Sequence, residues 1–166
     1  TTGSNNCAFG RQSMVLNTTG QNNTAYGSYS LYSNTTGADN TAVGYAALDA
    51  NTTGGYNTAF GEDALASNTT ASYNTAVGYQ AGETNTTGYS NTYVGAFAGE
   101  LCTTAIQNSF FGNNSGNKIT TGSKNVILGS YDGNQGGLDI RTSSNYIVLS
   151  DGDGNPRLYF NGQSLF

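Results

Sequence analysis

"NTAVGYAALDANTTGGY", residues 40–56, is followed without a gap by "NTAFGEDALASNTTASY", residues 57–73, and then by "NTAVGYQAGETNTTGYS", residues 74–90. The phrase opens at Asn6, Asn23, Asn40, Asn57, Asn74, Asn91, Asn108 and Asn125, always seventeen residues after the last. A fixed period of this size marks a repeat architecture, in which each unit buries its apolar side chains against its neighbours. The unit is too short for two helices and a turn, which take roughly thirty residues. With positions 1 to 17 counted from each opening Asn, "NTAVG" alternates over two to three residues and ends at Gly, and Thr, Val, Phe and Tyr favour strands. The Asn and Gly on either side tolerate the left-handed backbone of tight turns. Each repeat therefore reads as one coil of a parallel β-solenoid: a short strand, a turn, a second short strand near "xALxxN", and a turn at "TTG". Stacked at about 4.8 Å per strand, eight coils make a rod about 40 Å long.

Composition agrees with a packed repeat. Only 9% of residues are charged, against about 25% in an ordinary domain. A net charge of −5 with 12 Tyr and 7 Phe separates the chain from disordered sequences, which are highly charged and poor in aromatics. Position 3 holds Ala8, Ala25, Ala42, Ala59 and Ala76, and position 8 is Ser or Ala from Ser13 to Ala98; such small residues suit close backbone layers. Position 4 is apolar in every repeat (Phe9, Tyr26, Val43, Phe60, Val77, Val94, Phe111, Leu128) and is expected to face the interior. Position 9 carries Met14, Leu31, Leu48 and Leu65, then Gly82, Gly99 and Gly116, which predicts a narrower coil or a neighbour filling the lost space. Asn at positions 1 and 12 predicts stacked hydrogen-bonded ladders. So few large apolar residues per coil predict association with further copies of the chain.

"NTAVGYAAL" and "NTAVGYQAG", each followed by "NTTG", resemble the repeats of phage tail fibres and of trimeric autotransporter adhesin heads. The resemblance spans residues 1 to about 130. It implies a left-handed parallel β-roll wound as a homotrimer. "NYIVLSDGDGNPRLYFNGQ", residues 145–163, is similar to the segment that joins such repeats to an intramolecular chaperone of the endosialidase type. Residues 1–5 fill positions 13 to 17 of an earlier repeat, so the natural chain is expected to begin upstream.

The fold expected is all-β: a β-roll shaft over residues 1–130 and a β-hairpin segment over 131–166, where the period lapses after Gly129 and "NYIVLSDGDGNPRLYFNG" reads as two strands joined by a Gly/Asp turn. No apolar run is long enough to span a membrane. Between Arg11 and Lys118 every charge is acidic (Asp39, Asp49, Glu62, Asp63, Glu83, Glu100), which disfavours nucleic acid. Without His, one chain cannot build Ser-His, Cys-His or His-metal chemistry. Glu83 and Glu100 share position 10 in adjacent coils and are the one carboxylate pair worth weighing, against a solvated edge. "DGDGN", residues 151–155, has the spacing that opens a calcium loop but lacks its closing Glu, since Gly162 stands there; a hairpin turn explains the same letters. The repeated "NTT" also matches a glycosylation sequon, although the column gives it a structural use. Cys7 and Cys102 lie more than five coils apart, on the order of 27 Å, so no disulfide joins them; packed free thiols are expected. No enzyme, metal site or cofactor follows from these residues.

Function is then expected to be structural: a homotrimeric spacer segment of a phage tail fibre, on an extracellular virion, with a part in host attachment. The alternative is the head of a bacterial trimeric adhesin at the cell surface. A third reading, an ice-binding solenoid, rests on the paired Thr of "NTTG". Tyr45, Tyr56, Tyr73, Tyr79 and Tyr89 occupy variable outer positions and are candidate contacts to a host-surface glycan, because aromatic faces suit sugar rings. Contact between chains is the competing use of these rings.

Overall fold

The computed structural model describes residues 2–163. Eight strands of three residues recur at the repeat period: β1 (Cys7–Phe9), β2 (Thr24–Tyr26), β3 (Thr41–Val43), β4 (Thr58–Phe60), β5 (Thr75–Val77), β6 (Thr92–Val94), β7 (Ser109–Phe111) and β8 (Val126–Leu128). Each pairs in parallel with the next, column on column, as in Thr41 with Thr58 and Val43 with Phe60. The chain is a parallel β-solenoid of eight coils. A small antiparallel pair follows, β9 (Asn134–Gln135) with β10 (Leu138–Asp139), and then a hairpin of β11 (Ile147–Ser150) and β12 (Pro156–Phe160). β11 lies parallel to β8, so the main sheet has ten strands in the order β1 to β8, β11, β12. Among the described residues there is no helix.

The second strand expected near "xALxxN" does not form. Positions 7 and 9 are both left-handed, as in Tyr29 (φ 62°) and Leu31 (φ 49°), and a strand cannot run through alternate left-handed residues. The turn is hydrogen-bonded between coils nonetheless: Leu31 N–H donates to Ala47 O at 3.0 Å and Ser33 N–H to Asp49 O at 2.9 Å. Glycine is required at position 5, where Gly44 has φ 136° and a Cβ would collide with the Gly61 carbonyl of the next coil.

Position 4 does not face the interior. Phe9, Tyr26 and Phe60 are 63%, 55% and 56% exposed, whereas Ala25, Ala42, Ala59 and Ala76 at position 3 are buried. Positions 2 and 4 of a three-residue strand share one face, and the other face belongs to position 3 because Leu31, Leu48 and Leu65 at position 9 already fill the space opposite it. Position 9 becomes Gly from Gly82 on, and position 3 becomes large one coil later, from Tyr93 on. Any side chain at Gly82 or Gly99 would run into the Tyr93 ring, and one at Gly116 would run into Phe110. The space lost at one column is refilled from another, as the sequence implied.

Both asparagine ladders are present and buried. Asn40 N–H donates to Asn23 Oδ1 at 2.9 Å, Asn51 Nδ2 donates to Asn34 Oδ1 at 2.9 Å, and Asn40 and Asn51 both donate to the carbonyl of Gly54 at 2.8 and 3.0 Å. These bonds satisfy amides that would otherwise be costly in the interior. The position-12 ladder breaks at Cys102, which cannot donate as an amide does. Asn85 Oδ1 is left without a donor, and the buried Tyr93 hydroxyl has no nitrogen or oxygen partner; its polar neighbour is the Cys102 thiol. Cys102 is buried as expected, but Cys7 is exposed on β1 rather than packed.

The lapse of period after Gly129 is an insertion. Val126 N–H donates to Tyr146 O and Tyr146 N–H to Asn125 Oδ1 at 2.8 Å, so Tyr146 takes the next position 1, 21 residues on. The β9–β10 pair absorbs the extra length. Ile140 and Tyr131 keep that coil's interior filled.

Candidate functional site

The five candidate tyrosines fall into two groups on either side of the strands. Tyr45 and Tyr79 occupy position 6, just after the strand, with Glu62 between them along the column. Each meets another ring edge-on: Tyr45 packs on Tyr29 at 5.8 Å and Tyr79 on Phe97 at 5.1 Å. Tyr56 and Tyr73 occupy position 17, just before the strand, and stack face to face with centroids 5.1 Å apart and planes 4° from parallel. Tyr89 at position 16 of the next coil stands beside Tyr73, and with Thr70, Ala71, Ser72 and Thr87 the two rings line a shallow groove of about 270 Å³. The structure thus brings Tyr56, Tyr73 and Tyr89 together and leaves Tyr45 and Tyr79 elsewhere.

The threonines of "NTTG" divide by position. Those at position 13 donate to the backbone of the next coil, as Thr52 Oγ1 does to Thr69 O at 3.1 Å. Those at position 14, such as Thr70 and Thr87, are exposed. The sequon asparagines at position 12 are buried in the ladder, where no glycan can be attached.

The carboxylates form an edge rather than a centre. Burial, followed by the charge of Asp63, pushes the Asp49 carboxyl up from the ordinary range. Burial, then Asp63 and Glu100, does the same to Glu83. Among the described residues no group of three His, Cys, Asp or Glu is placed to hold a metal. In "DGDGN", Asp151 Oδ1 accepts from Asp153 N–H at 3.1 Å and Asn155 N–H at 2.8 Å, and Arg157 pairs with the same carboxylate. The backbone of Asn155 first, and Arg157 after it, hold that carboxyl below its usual range. The turn and Arg157 thus already hold the Asp151 carboxylate, the first oxygen donor a calcium loop would need.

A second groove, of about 320 Å³, opens where the eighth coil's insertion meets the shaft, among Asn114, Asn117, Lys118, Asp132, Gln135 and Asp153. Lys118 Nζ lies 2.8 Å from Asp132. The sequence reading did not find it, because it depends on how the insertion folds back; the return of basic residues at Lys118 was the only sign.

The longest surface feature is apolar. Position 4 forms an outward column from Phe9 through Tyr26, Val43, Phe60, Val77, Val94, Phe111 and Leu128, and Leu149 and Leu158 continue it over β11 and β12. Phe9 and Tyr26 stack along it at 4.8 Å. Beside it runs position 2, with Thr24, Thr41, Thr58, Thr75 and Thr92 in register. No protein-family profile, curated protein or solved structure matches the chain.

Proposed function

We propose that this chain is a shaft segment of a homotrimeric fibre, in which parallel copies meet along the position-4 column. The observation that carries the reading is that ten apolar residues, none charged, line one face from the first strand to the last. Phe9, Tyr26 and Phe60 each leave more than half exposed of side chains that bury roughly 150–250 Å² apiece. The column therefore offers several hundred Å², approaching the ~800 Å² per partner of a stable interface. A partner with the same coil spacing matches it column for column, and a second copy has that spacing by construction. The resemblance in the repeats supports a phage tail fibre as the owner and a spacer that contributes to attachment as the role; a bacterial adhesin head would use the same face. Sedimentation of the purified chain should give three times 17.2 kDa. Phe60→Asp with Val77→Asp should lower that mass while leaving the far-ultraviolet spectrum of the coils in place. A folded wild-type monomer at micromolar concentration would refute the reading.

The same face gives a second reading its best footing. The ice-binding alternative moves from "NTTG", whose position-13 hydroxyls are spent on the backbone, to the position-2 threonines of the outer sheet face. Freezing hysteresis in the wild-type chain, abolished by Thr58→Leu with Thr75→Leu, would favour it over the fibre.

A further inference from the structure

We propose that the groove between Tyr73 and Tyr89 is a binding site for the pyranose ring of a neutral glycan, seated face-on against Tyr73 as the third layer of the Tyr56–Tyr73 stack. This rests on the fibre reading only for its biological setting; the groove belongs to the corner before the strands, and the proposed seam to the outward strand face of position 4.

The stack is interrupted rather than completed. Tyr56 covers one face of Tyr73. The next residue in the column is Ser90, whose short side chain leaves the opposite face of Tyr73 open, and Tyr73 is 61% exposed. Adjacent coils are spaced by about 4.8 Å, so the space beyond Tyr73 is one ring layer deep. Tyr89 walls it on one side. Thr70 and Thr87 place hydroxyls at its rim, and these are the position-14 threonines that stand in solvent. None of the six lining residues is charged. A flat apolar ring face with hydroxyls at its edge matches this surface: its C–H face meets the negative face of the tyrosine ring, and its hydroxyls meet threonine hydroxyls that can both donate and accept. A charged sugar would gain no ion pair here.

Backbone conformation points the same way. Position 17 is left-handed in every coil, and Asn5, Asn22 and Asp39 are residue types that tolerate it,. Asn5 donates to Asn22 and Asn22 to Asp39, a polar ladder along the same corner. Tyr56 (φ 59°) and Tyr73 (φ 64°) replace that ladder with bulky residues in a conformation that disfavours them,. At position 9 the same conformation is offset by burying leucine; at position 17 the rings stay in solvent, and what they gain is each other and the open face.

The experiment titrates the full chain with maltopentaose, cellopentaose and a galactan pentasaccharide, and follows the amide and ring resonances of Tyr73, Thr87 and Tyr89. At least one of the three should shift these resonances saturably at millimolar concentration. Ser90→Tyr extends the stack into the space and should abolish the shifts, as should Tyr73→Ala, with the far-ultraviolet spectrum and sedimentation mass unchanged; Tyr45→Ala should bind like wild type. Absence of shifts with all three sugars overturns the proposal, as does binding that survives Ser90→Tyr. A change of sedimentation mass in Ser90→Tyr or Tyr73→Ala would make this corner a contact between chains and also overturns it, whereas a monomeric wild type that binds sugar refutes only the fibre.

Discussion

Tyr93 does inside the sixth coil what leucine does in the second, third and fourth. Its ring fills the space above Gly99 and below Gly82, so neither glycine can accept a side chain while the ring is there. Tyr93→Ala should cost about 3–5 kcal/mol, the usual loss for a buried aromatic. Gly99→Leu alone should cost about 1–3 kcal/mol through overpacking. The left-handed backbone is not the obstacle, because Leu48 and Leu65 hold the same conformation. The double variant rebuilds the Ala/Leu pairing of the earlier coils and should be more stable than Tyr93→Ala, with a favourable coupling of at least about 1 kcal/mol in urea unfolding. Simple additivity would show that the two columns do not share one space. The neighbouring Cys102 thiol is pushed up to about 12 by burial, whereas Cys7 is exposed.

At the scale of an element, the coil is held by its asparagines as much as by its apolar residues. Asn51 Nδ2 donates to Asn34 Oδ1 and Gly54 O, while Asn51 Oδ1 accepts from Asn68. Asn51→Asp keeps the shape and the acceptor but removes both donors, each worth about 1–3 kcal/mol when its partner is left buried and unpaired. The new carboxyl is desolvated, so its folded pKa lies above its unfolded one. The folded state then binds more protons, and the loss of stability grows as pH rises through that interval. Thermal unfolding of Asn51→Asp should therefore fall furthest below wild type at neutral pH and less at acid pH, while Thr53→Asp on the exposed neighbour should stay within about 0.5 kcal/mol. These ladders were legible in the sequence, because stacking one amide on the next demands the same residue at the same spacing. The inward face was not. A strand of three residues offers either its middle or its two ends to the core, and the larger residues at position 4 pointed to the wrong choice; the decision lay with Leu48 and its equivalents at position 9. Nor was the missing second strand legible, since Gln12, Tyr29, Ala46 and Asp63 carry the left-handed turn at position 7 without the Asn or Gly that would announce it. Of the candidate site, the outward tyrosines could be read from their variable columns. Which of them share a groove could not, because Ser90 and Tyr89 matter only once the coils are stacked.

For the whole molecule, neighbouring coils are the unit of interaction: each coil's strand in the main sheet pairs only with those of the adjacent coils, so stability is close to a sum of coil and interface contributions. Extra length is accepted, as the 21-residue step from Asn125 to Tyr146 shows by folding its excess into the β9–β10 pair. Missing length has no such outlet, because the strand, the position-1 asparagine and the position-5 glycine recur in each of the eight coils. Removing residues 23–39 joins Asn22 to Asn40 and stacks the first coil on the third, with Ala8 against Ala42, Met14 beside Leu48, and Asn17 against Asn51. That chain should fold cooperatively, keep its sedimentation behaviour in units of its own mass, and shorten by about 4.8 Å in small-angle scattering. Taking the next four residues as well, 23–43, deletes β3 along with the opening Asn of that coil. The first coil then faces a turn with no strand and no position-1 amide, and the N-terminal coil should lose its amide protection in hydrogen exchange while the coils from Asn57 onward keep theirs. If the seventeen-residue deletion were as damaging as the longer one, the coils would not be independent units, and the neighbour-only account of this rod would fail.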